Sequence, residues 1–137
     1  MDRYIITFKG YRRQKSISTL PTFSGIYLVY RCVYNDNSNT VSLRELLYIG
    51  QASDINHRIN NHEKMDLFKE KLNEGEELAY SYAQISIDKL DIVENAMIYA
   101  EHPPLNDKGT DSFNYPASSF TVDGACALVK HRSFTIS

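Results

Sequence analysis

The sequence predicts one α+β domain with a small, mainly antiparallel sheet and helices packed beside it. Residues 25–34 form a run dominated by β-branched and aromatic side chains, as in a strand. Residues 79–87 alternate between two kinds of side chain, the period of a strand with two different faces. Residues 88–101 carry apolar side chains at helical spacing. A chain of 137 residues without a linker segment is the size of a single domain, residues 1–137.

The N-terminal third contains the first predicted strands. Residues 4–8 are aromatic and β-branched and predict an extra N-terminal strand. Residues 35–40 are rich in Asn, which tolerates a left-handed backbone, and predict a turn after the strand at 25–34. A strand ending at 46–49 should then return antiparallel to the first.

Helical patterns follow in the middle of the chain. Asp54 is a good N-cap, and Ile55 and Ile59 lie one helical turn apart, which predicts a helix over 54–62. Residues 65–72 repeat that spacing. Asp88 predicts the start of a longer helix, which the two prolines at 103–104 end because proline cannot continue a helix.

The last third predicts a C-terminal hairpin. Residues 119–122 and 127–136 have strand composition, and the dipeptide Asp123-Gly124 between them is typical of a tight turn. These segments complete the domain after a polar stretch at 106–114.

Composition indicates an ordinary cytoplasmic protein. No apolar run approaches the roughly 20 residues of a membrane span, and the N-terminus lacks the pattern of a secretory signal. Cys32 and Cys126 are far apart, so we expect reduced thiols and neither a disulfide framework nor a zinc ribbon. A structural metal protein built on these cysteines and the histidines has no support from spacing.

The net charge of -2 argues against a nucleic-acid partner, but the charge is unevenly distributed. The first fifteen residues carry one acidic residue, Asp2, and several basic ones, which are Arg3, Lys9, Arg12, Arg13 and Lys15. Arg12, Arg13 and Lys15 are candidates for contact with a phosphate backbone; the alternative is solvated charge on a surface strand.

Few side chains suggest chemistry when they are considered singly. Tyr27 and Tyr48 lie in predicted strands, where tyrosine is usually a packing residue. Arg58 and His62 are four positions apart, which would point both from one helix toward one place. Glu94 borders the apolar stripe of its helix, where an ionised carboxylate needs a cation or donors; the alternative is a boundary glutamate that leans into solvent or pairs with a lysine.

The ordered set of these residues is more specific. The set consists of Gly25-Ile26-Tyr27, Tyr48-Ile49-Gly50, Arg58, His62, Glu94 and a Pro-Pro-Leu-Asn stretch ending at Asn106. In this order it resembles the motifs of the GIY-YIG nuclease family, over residues 25–106. The resemblance implies a three-stranded antiparallel central sheet flanked by helices, with a motif core at about 23–107 and flanking segments at 1–22 and 108–137.

The resemblance also implies an activity. A member of this family would be a metal-dependent endonuclease that hydrolyses phosphodiester bonds in nucleic acid, and we expect DNA. Glu94 would hold Mg²⁺ or Mn²⁺, and Arg58 would stabilise charge on the phosphate. Tyr27 would be the general base, assisted by His62 and the cation. Tyr48 would orient the phosphate or the water, and Asn106 would fix the geometry.

Two questions about partners stay open in the sequence. Gln51 and Lys64 are further candidates for contact with nucleic acid. Specificity could come from a homodimer or from a protein partner, because the chain has little room for a targeting domain. The alternative function is a catalytically silent GIY-YIG scaffold that binds nucleic acid or a protein.

Overall fold

The computed structural model describes residues 1–137, which form one six-stranded sheet and three α-helices. The strands are β1 (Asp2–Arg13), β2 (Gly25–Asn35), β3 (Thr40–Ala52), β4 (Glu77–Gln84), β5 (Ser118–Gly124) and β6 (Ser133–Ile136). The helices are α1 (Ile55–Asn60), α2 (Met65–Glu70) and α3 (Leu90–Glu101), and short 3₁₀ helices span Gln14–Thr19 and Ile87–Lys89. The strand order is β3-β2-β4-β1-β5-β6. Only β1 and β5 are parallel.

The prediction of a small three-stranded antiparallel sheet flanked by helices is wrong. The sheet is mixed, has six strands and curls into a half-barrel. The strand predicted as an N-terminal addition is an interior strand, because β1 pairs with β4 near Arg13 and with β5 from Asp2 to Phe8. The side-chain pattern of β1 does not show whether the strand lies inside the sheet or at its edge. That position depends on hydrogen bonds to the backbone of residues far away in the chain.

The C-terminal strands also differ from the predicted tight hairpin. β5 and β6 are antiparallel, but residues 125–132 separate them. Gly124 does not form the expected turn; it ends β5 with φ +84°, and a Cβ there would lie 2.2 Å from the carbonyl oxygen of Phe8. Glycine is needed at this position for the close approach of β5 to β1.

The strands that carry the two tripeptides are neighbours at one end of the sheet. β2 and β3 pair along their whole length, and a four-residue turn joins them. Asn39 closes that turn with φ +52°, a conformation that asparagine tolerates better than most residues. β3 is an edge strand of the sheet, so only one side of it is paired with another strand.

Apolar side chains cover both faces of this end of the sheet. Leu28 of β2 is fully buried in a cluster that includes Met97 of α3. Val29, which follows it, points to the opposite face, where it joins Ile59 of α1 and Phe68 of α2. Successive strand residues alternate between faces, so β2 stabilises both clusters.

The helices begin and end close to the predicted positions, with two differences. Asp54 caps α1 by accepting a hydrogen bond from the His57 amide, but α1 ends at Asn60, so His62 lies beyond the helix predicted over 54–62. α3 begins after a 3₁₀ turn that contains Asp88, and no side chain caps it. None of the helices is both long enough and apolar enough to cross a membrane.

Candidate functional site

Two adjoining cavities lie beside the β3 edge of the sheet. The larger has a volume of about 670 Å³, and Tyr48, Lys64 and Glu94 are among the residues of its wall. The second has a volume of about 500 Å³ and is lined in part by Arg58. Asp91 of α3 lines both cavities. Most residues that line the two cavities are polar or charged, so the region suits a charged ligand rather than an apolar one.

Both glycines of the tripeptides are required by steric contact. Gly50 on β3 lies opposite Tyr27 on β2, and a Cβ at Gly50 would be 2.3 Å from the Tyr27 hydroxyl oxygen. A Cβ at Gly25 would be 2.0 Å from the carbonyl oxygen of Ala83 on β4. The absence of side chains therefore lets the Tyr27 phenol cross the neighbouring strand and lets β2 approach β4.

Tyr27 and Tyr48 face the same side of the sheet because Gly50 pairs with Tyr27 and Tyr48 pairs with Val29, two positions away on each strand. Val29 pairs with Tyr48, but the next residue of β2 pairs with Leu46, which leaves Leu47 without an opposite residue. Leu47 is therefore buried on the α1 side, and Tyr48 packs against that same side. The ring centroids of Tyr27 and Tyr48 are 6.2 Å apart. The bulge re-aims Leu47, which by strand alternation would face the side opposite Tyr48.

His62 forms a hydrogen bond with Tyr27 from the turn after α1. Its Nε2 lies 2.7 Å from the Tyr27 hydroxyl oxygen, and its Nδ1 accepts the Lys64 amide hydrogen at 3.1 Å. Burial, together with the smaller effect of the Arg58 charge, lowers the pKa of His62 to about 4, so the imidazole is neutral at pH 7. A neutral imidazole has one N–H, which must be on Nε2 because Nδ1 is an acceptor. His62 therefore donates to the Tyr27 oxygen.

Burial controls the protonation of both phenols. The pKa of Tyr27 is raised chiefly by burial and also by Tyr48, while the Arg58 guanidinium opposes the rise. The pKa of Tyr48 is raised by burial and by the charge of Glu94. Tyr27 is fully buried and lines neither cavity, whereas Tyr48 lines the larger one. Tyr48 is thus the phenol nearer to an incoming ligand.

Glu63 holds the Arg58 guanidinium in a two-pronged ion pair. Arg58 Nη2 donates to Glu63 Oε1 at 2.9 Å, and Nη1 donates to Oε2. The hydrogen bonds from Arg58 hold the pKa of Glu63 at about 2, so the pair persists across the physiological pH range. Arg58 also lies close enough to influence Tyr27 and Glu94. A phosphate at this place would share Arg58 with Glu63.

Glu94 is a partly buried carboxylate with an acidic neighbour. Gln51 Nε2 donates to Glu94 Oε1 at 3.1 Å and to Asp91 Oδ1 at 2.8 Å. Burial raises the pKa of Glu94; the Gln51 hydrogen bond opposes that rise and the Asp91 charge adds to it. A cation near these carboxylates would relieve both the desolvation and the repulsion.

The oxygen donors suit a hard cation, Mg²⁺ or Mn²⁺, better than a softer metal such as Zn²⁺. No group of three or more His, Cys, Asp or Glu side chains is arranged to hold a metal ion. Mg²⁺ keeps several waters and commonly binds through one or two carboxylates together with a substrate phosphate. Glu94, with Asp91 beside it, fits that requirement.

Asn106 joins the segment after α3 to the β3 edge. Its side-chain amide accepts from the Ile49 N–H and donates to the Ile49 carbonyl, both at 2.9 Å, and the Leu105 N–H donates to the Leu47 carbonyl. The Asn106 amide is therefore engaged by backbone and holds one wall of the larger cavity in place.

The N-terminal cations lie away from both cavities. Arg12 donates to Thr19 and to the Tyr82 hydroxyl, and Arg13 forms an ion pair with Glu77 at 2.8 Å. Lys15 is exposed. None of these three residues lines the cavities beside β3, whereas Lys64 lines the larger and Gln51 the smaller.

Two acidic residues at this place were not identified from the sequence. Asp91 precedes Glu94 by three positions on α3, and this spacing, which puts side chains on one helical face, could have revealed it. Glu63 had no such signal, because its role depends on how the turn after α1 folds back toward Arg58.

No family model, curated protein or solved structure matches this chain. Membership of the GIY-YIG family therefore stays a prediction that rests on the residues themselves.

Proposed function

We propose that this protein is a metal-dependent endonuclease of the GIY-YIG type that hydrolyses phosphodiester bonds in nucleic acid, with DNA as the expected substrate. One observation carries the proposal: Tyr27, Tyr48, Arg58, His62 and Glu94, which are scattered along the chain, lie together beside the β3 edge. This combination of phenols, a guanidinium, an imidazole and a carboxylate can supply a base, a phosphate contact and a cation ligand.

Glu94 would hold Mg²⁺ or Mn²⁺, with Asp91 as a second acidic neighbour. When bound, the cation would neutralise charge on the phosphate oxygens and assist departure of the leaving oxygen. Arg58 would donate to a phosphate oxygen through guanidinium hydrogens that Glu63 leaves free, since guanidinium has five. Gln51 would keep the two carboxylates in position.

The phenols and His62 would handle the attacking water. Tyr48 lines the cavity and would contact the water or the phosphate. Tyr27 would take the proton from the water as a phenolate, which His62 favours by donating a hydrogen bond to its oxygen and Arg58 favours through its positive charge. Because Tyr27 is buried, this step requires the cavity wall around Tyr48 to admit the water.

The second candidate function is that of a scaffold that binds nucleic acid or a protein and does not cleave nucleic acid. The ion pair between Arg58 and Glu63 favours it, because the guanidinium is already engaged by an acidic group. The net charge of -2 favours a protein rather than nucleic acid as the partner of such a scaffold.

A cleavage assay with Glu94→Gln separates these functions. The parent should nick supercoiled plasmid with Mg²⁺ and not with EDTA, and Glu94→Gln should not cleave. The variant should lose no stability in urea, because it removes a carboxylate whose ionisation burial disfavours. Glu70→Gln, an exposed change on α2, is the matched control and should cleave like the parent. Equal cleavage by Glu94→Gln would refute the metal assignment, and binding of plasmid without cleavage by the parent would favour the scaffold.

Two tyrosine variants assign the base. Tyr27→Phe and Tyr48→Phe each remove only a hydroxyl. If Tyr27 is the base, its variant should lower the rate by orders of magnitude and Tyr48→Phe should cost less. The reverse ranking would move the role to Tyr48.

A further inference from the structure

We propose that Arg44 and Lys130 form a second phosphate-binding site, which holds the nucleic-acid backbone where it continues beyond the cavity of Glu94. This inference rests on the proposed function and extends it to residues that the motif set does not include. The ligand class is the phosphodiester backbone, bound without regard to base sequence.

The proposed site is a groove next to the larger cavity along the same strand. It has a volume of about 400 Å³, and its wall includes Arg44 to Leu46 of β3, residues 101–104 from the last residue of α3 onward, and Lys130. The larger cavity uses Tyr48 of the same strand and residues 106–109 of the same segment. The two spaces therefore lie on either side of the contact between Leu105 and β3.

The acidic groups of the groove are already engaged by other partners. Glu45 receives a hydrogen bond from Arg31 at 2.9 Å. The Glu101 carboxylate accepts the backbone N–H groups of Lys130 and His131 at 2.7 and 2.8 Å, and it also contacts the His131 ring.

The cations of the groove have no such partners. Arg44 and Lys130 are both exposed, and neither side chain has an ion pair or a hydrogen bond within the protein. The groove thus offers two unpaired cations beside two carboxylates, Glu45 and Glu101, that already have partners. A phosphate anion would give Arg44 and Lys130 the partner that each lacks within the protein.

The backbone fixes the position of both cations. Arg31 pairs with Glu45 and Cys32 with Leu43, so Arg44 is the extra residue of a second β-bulge on β3. Lys130 lies in the segment whose backbone Glu101 holds. These constraints lower the conformational entropy that binding would otherwise cost.

The spacing fits a continuous nucleic-acid strand. Arg44 and Tyr48 are four residues apart on β3, but the two bulges shorten this stretch to the length of two to three residues of β2, about 7–10 Å. That length equals roughly two to three nucleotide steps along a duplex. Lys64 and Lys108 extend the row of cations past Tyr48 in the larger cavity. An acidic peptide would be the competing ligand for the same charges.

Salt-dependent binding tests the site without cleavage. A fluorescein-labelled 24-base-pair duplex is titrated with protein in EDTA at several KCl concentrations. Each phosphate contact contributes about 0.9 to the slope of log K against log salt. Arg44→Gln with Lys130→Gln should therefore lower the slope by about 2. Lys69→Gln with Lys71→Gln, an equal loss of exposed charge on and just after α2, should leave it unchanged.

The outcomes distinguish this site from the proposed function. If the parent cleaves with Mg²⁺ and the Arg44/Lys130 variant has the same salt slope as the parent, the groove is not a phosphate-binding site, and the proposed nuclease function is unaffected. A parent that neither binds nor cleaves overturns both. Tighter binding of poly-glutamate than of duplex, lost in the same variant, would overturn the phosphate assignment in favour of an acidic peptide. Thermal denaturation of each variant checks that it is folded.

Discussion

Acidification should destabilise this protein through one buried side chain, His62. In the unfolded chain a histidine has a pKa near 6.5, whereas burial lowers the pKa of His62 in the folded protein to about 4. Between these two pH values the unfolded state binds more protons than the folded state. Stability therefore decreases as the pH falls through this window, and the full contribution is present above pH 6.5.

The expected size follows from the two pKa values. The difference between 6.5 and about 4, at 1.36 kcal/mol per pKa unit, corresponds to roughly 3 kcal/mol. No discount for solvent screening is needed, because the His62 side chain is 1% exposed. A single domain commonly has a stability of about 5–15 kcal/mol, so the loss should be easy to measure.

Urea denaturation at pH 7, 6, 5 and 4 measures the effect. His62→Gln should be less stable than the parent at pH 7, because it loses the neutral ring that bonds Tyr27 and the Lys64 amide. Its stability should then fall by about 3 kcal/mol less than that of the parent between pH 7 and 4. His57→Gln, an exposed change on α1, should keep the parental pH dependence. If His62→Gln and the parent lose the same stability on acidification, the protonation state inferred for His62 is wrong.

Three further predictions address the packing and the base. Gly50→Ala should destabilise the fold by about 1–3 kcal/mol, because its Cβ would overlap the Tyr27 ring. In a Tyr27→Ala background the same change should cost less than about 1 kcal/mol, and a double-mutant cycle measured by urea denaturation tests this difference. Asn106→Leu should lower the free energy of unfolding, measured in urea, by about 2 kcal/mol or more, because it leaves the N–H and the carbonyl of Ile49 unpaired. Asn106→Asp keeps an acceptor for the Ile49 N–H, so it should lose less stability, and the opposite ranking would contradict this reason. Cleavage should accelerate about tenfold per pH unit between pH 7 and 9 because burial keeps the Tyr27 pKa above that range, and a flat profile would exclude a phenolate base.

Local features of the fold were accessible to sequence reasoning because they depend on neighbouring residues. Asp54 caps α1, Asn39 adopts a positive φ in the turn, and Pro103 follows the end of α3. Each depends on backbone preferences or hydrogen bonds that reach only a few positions along the chain. The same reasoning misplaced the end of α1, since the helical period alone does not show where the turn before His62 begins.

Most residues of the candidate site were named from the sequence, but the contacts between their side chains were not predicted. An i, i+4 pair on one helix was expected to align Arg58 with His62. Instead, His62 bonds Tyr27 from a turn, and Arg58 is held by Glu63. The glycines of the tripeptides acquire a physical reason only in three dimensions, where Gly50 admits the Tyr27 ring across the strand.

By itself, the sequence determined the chemical groups, the approximate elements and the positions of the sharp turns. Only the tertiary structure decided that β1 is an interior strand, that Arg13 is paired with Glu77, and that Arg44 and Lys130 line one groove. The reason is distance along the chain: Tyr27 and His62 are 35 positions apart, and Arg13 and Glu77 are 64 apart. Local preference acts over one or two turns, whereas pairing and burial are decided by whichever surfaces the whole chain brings together.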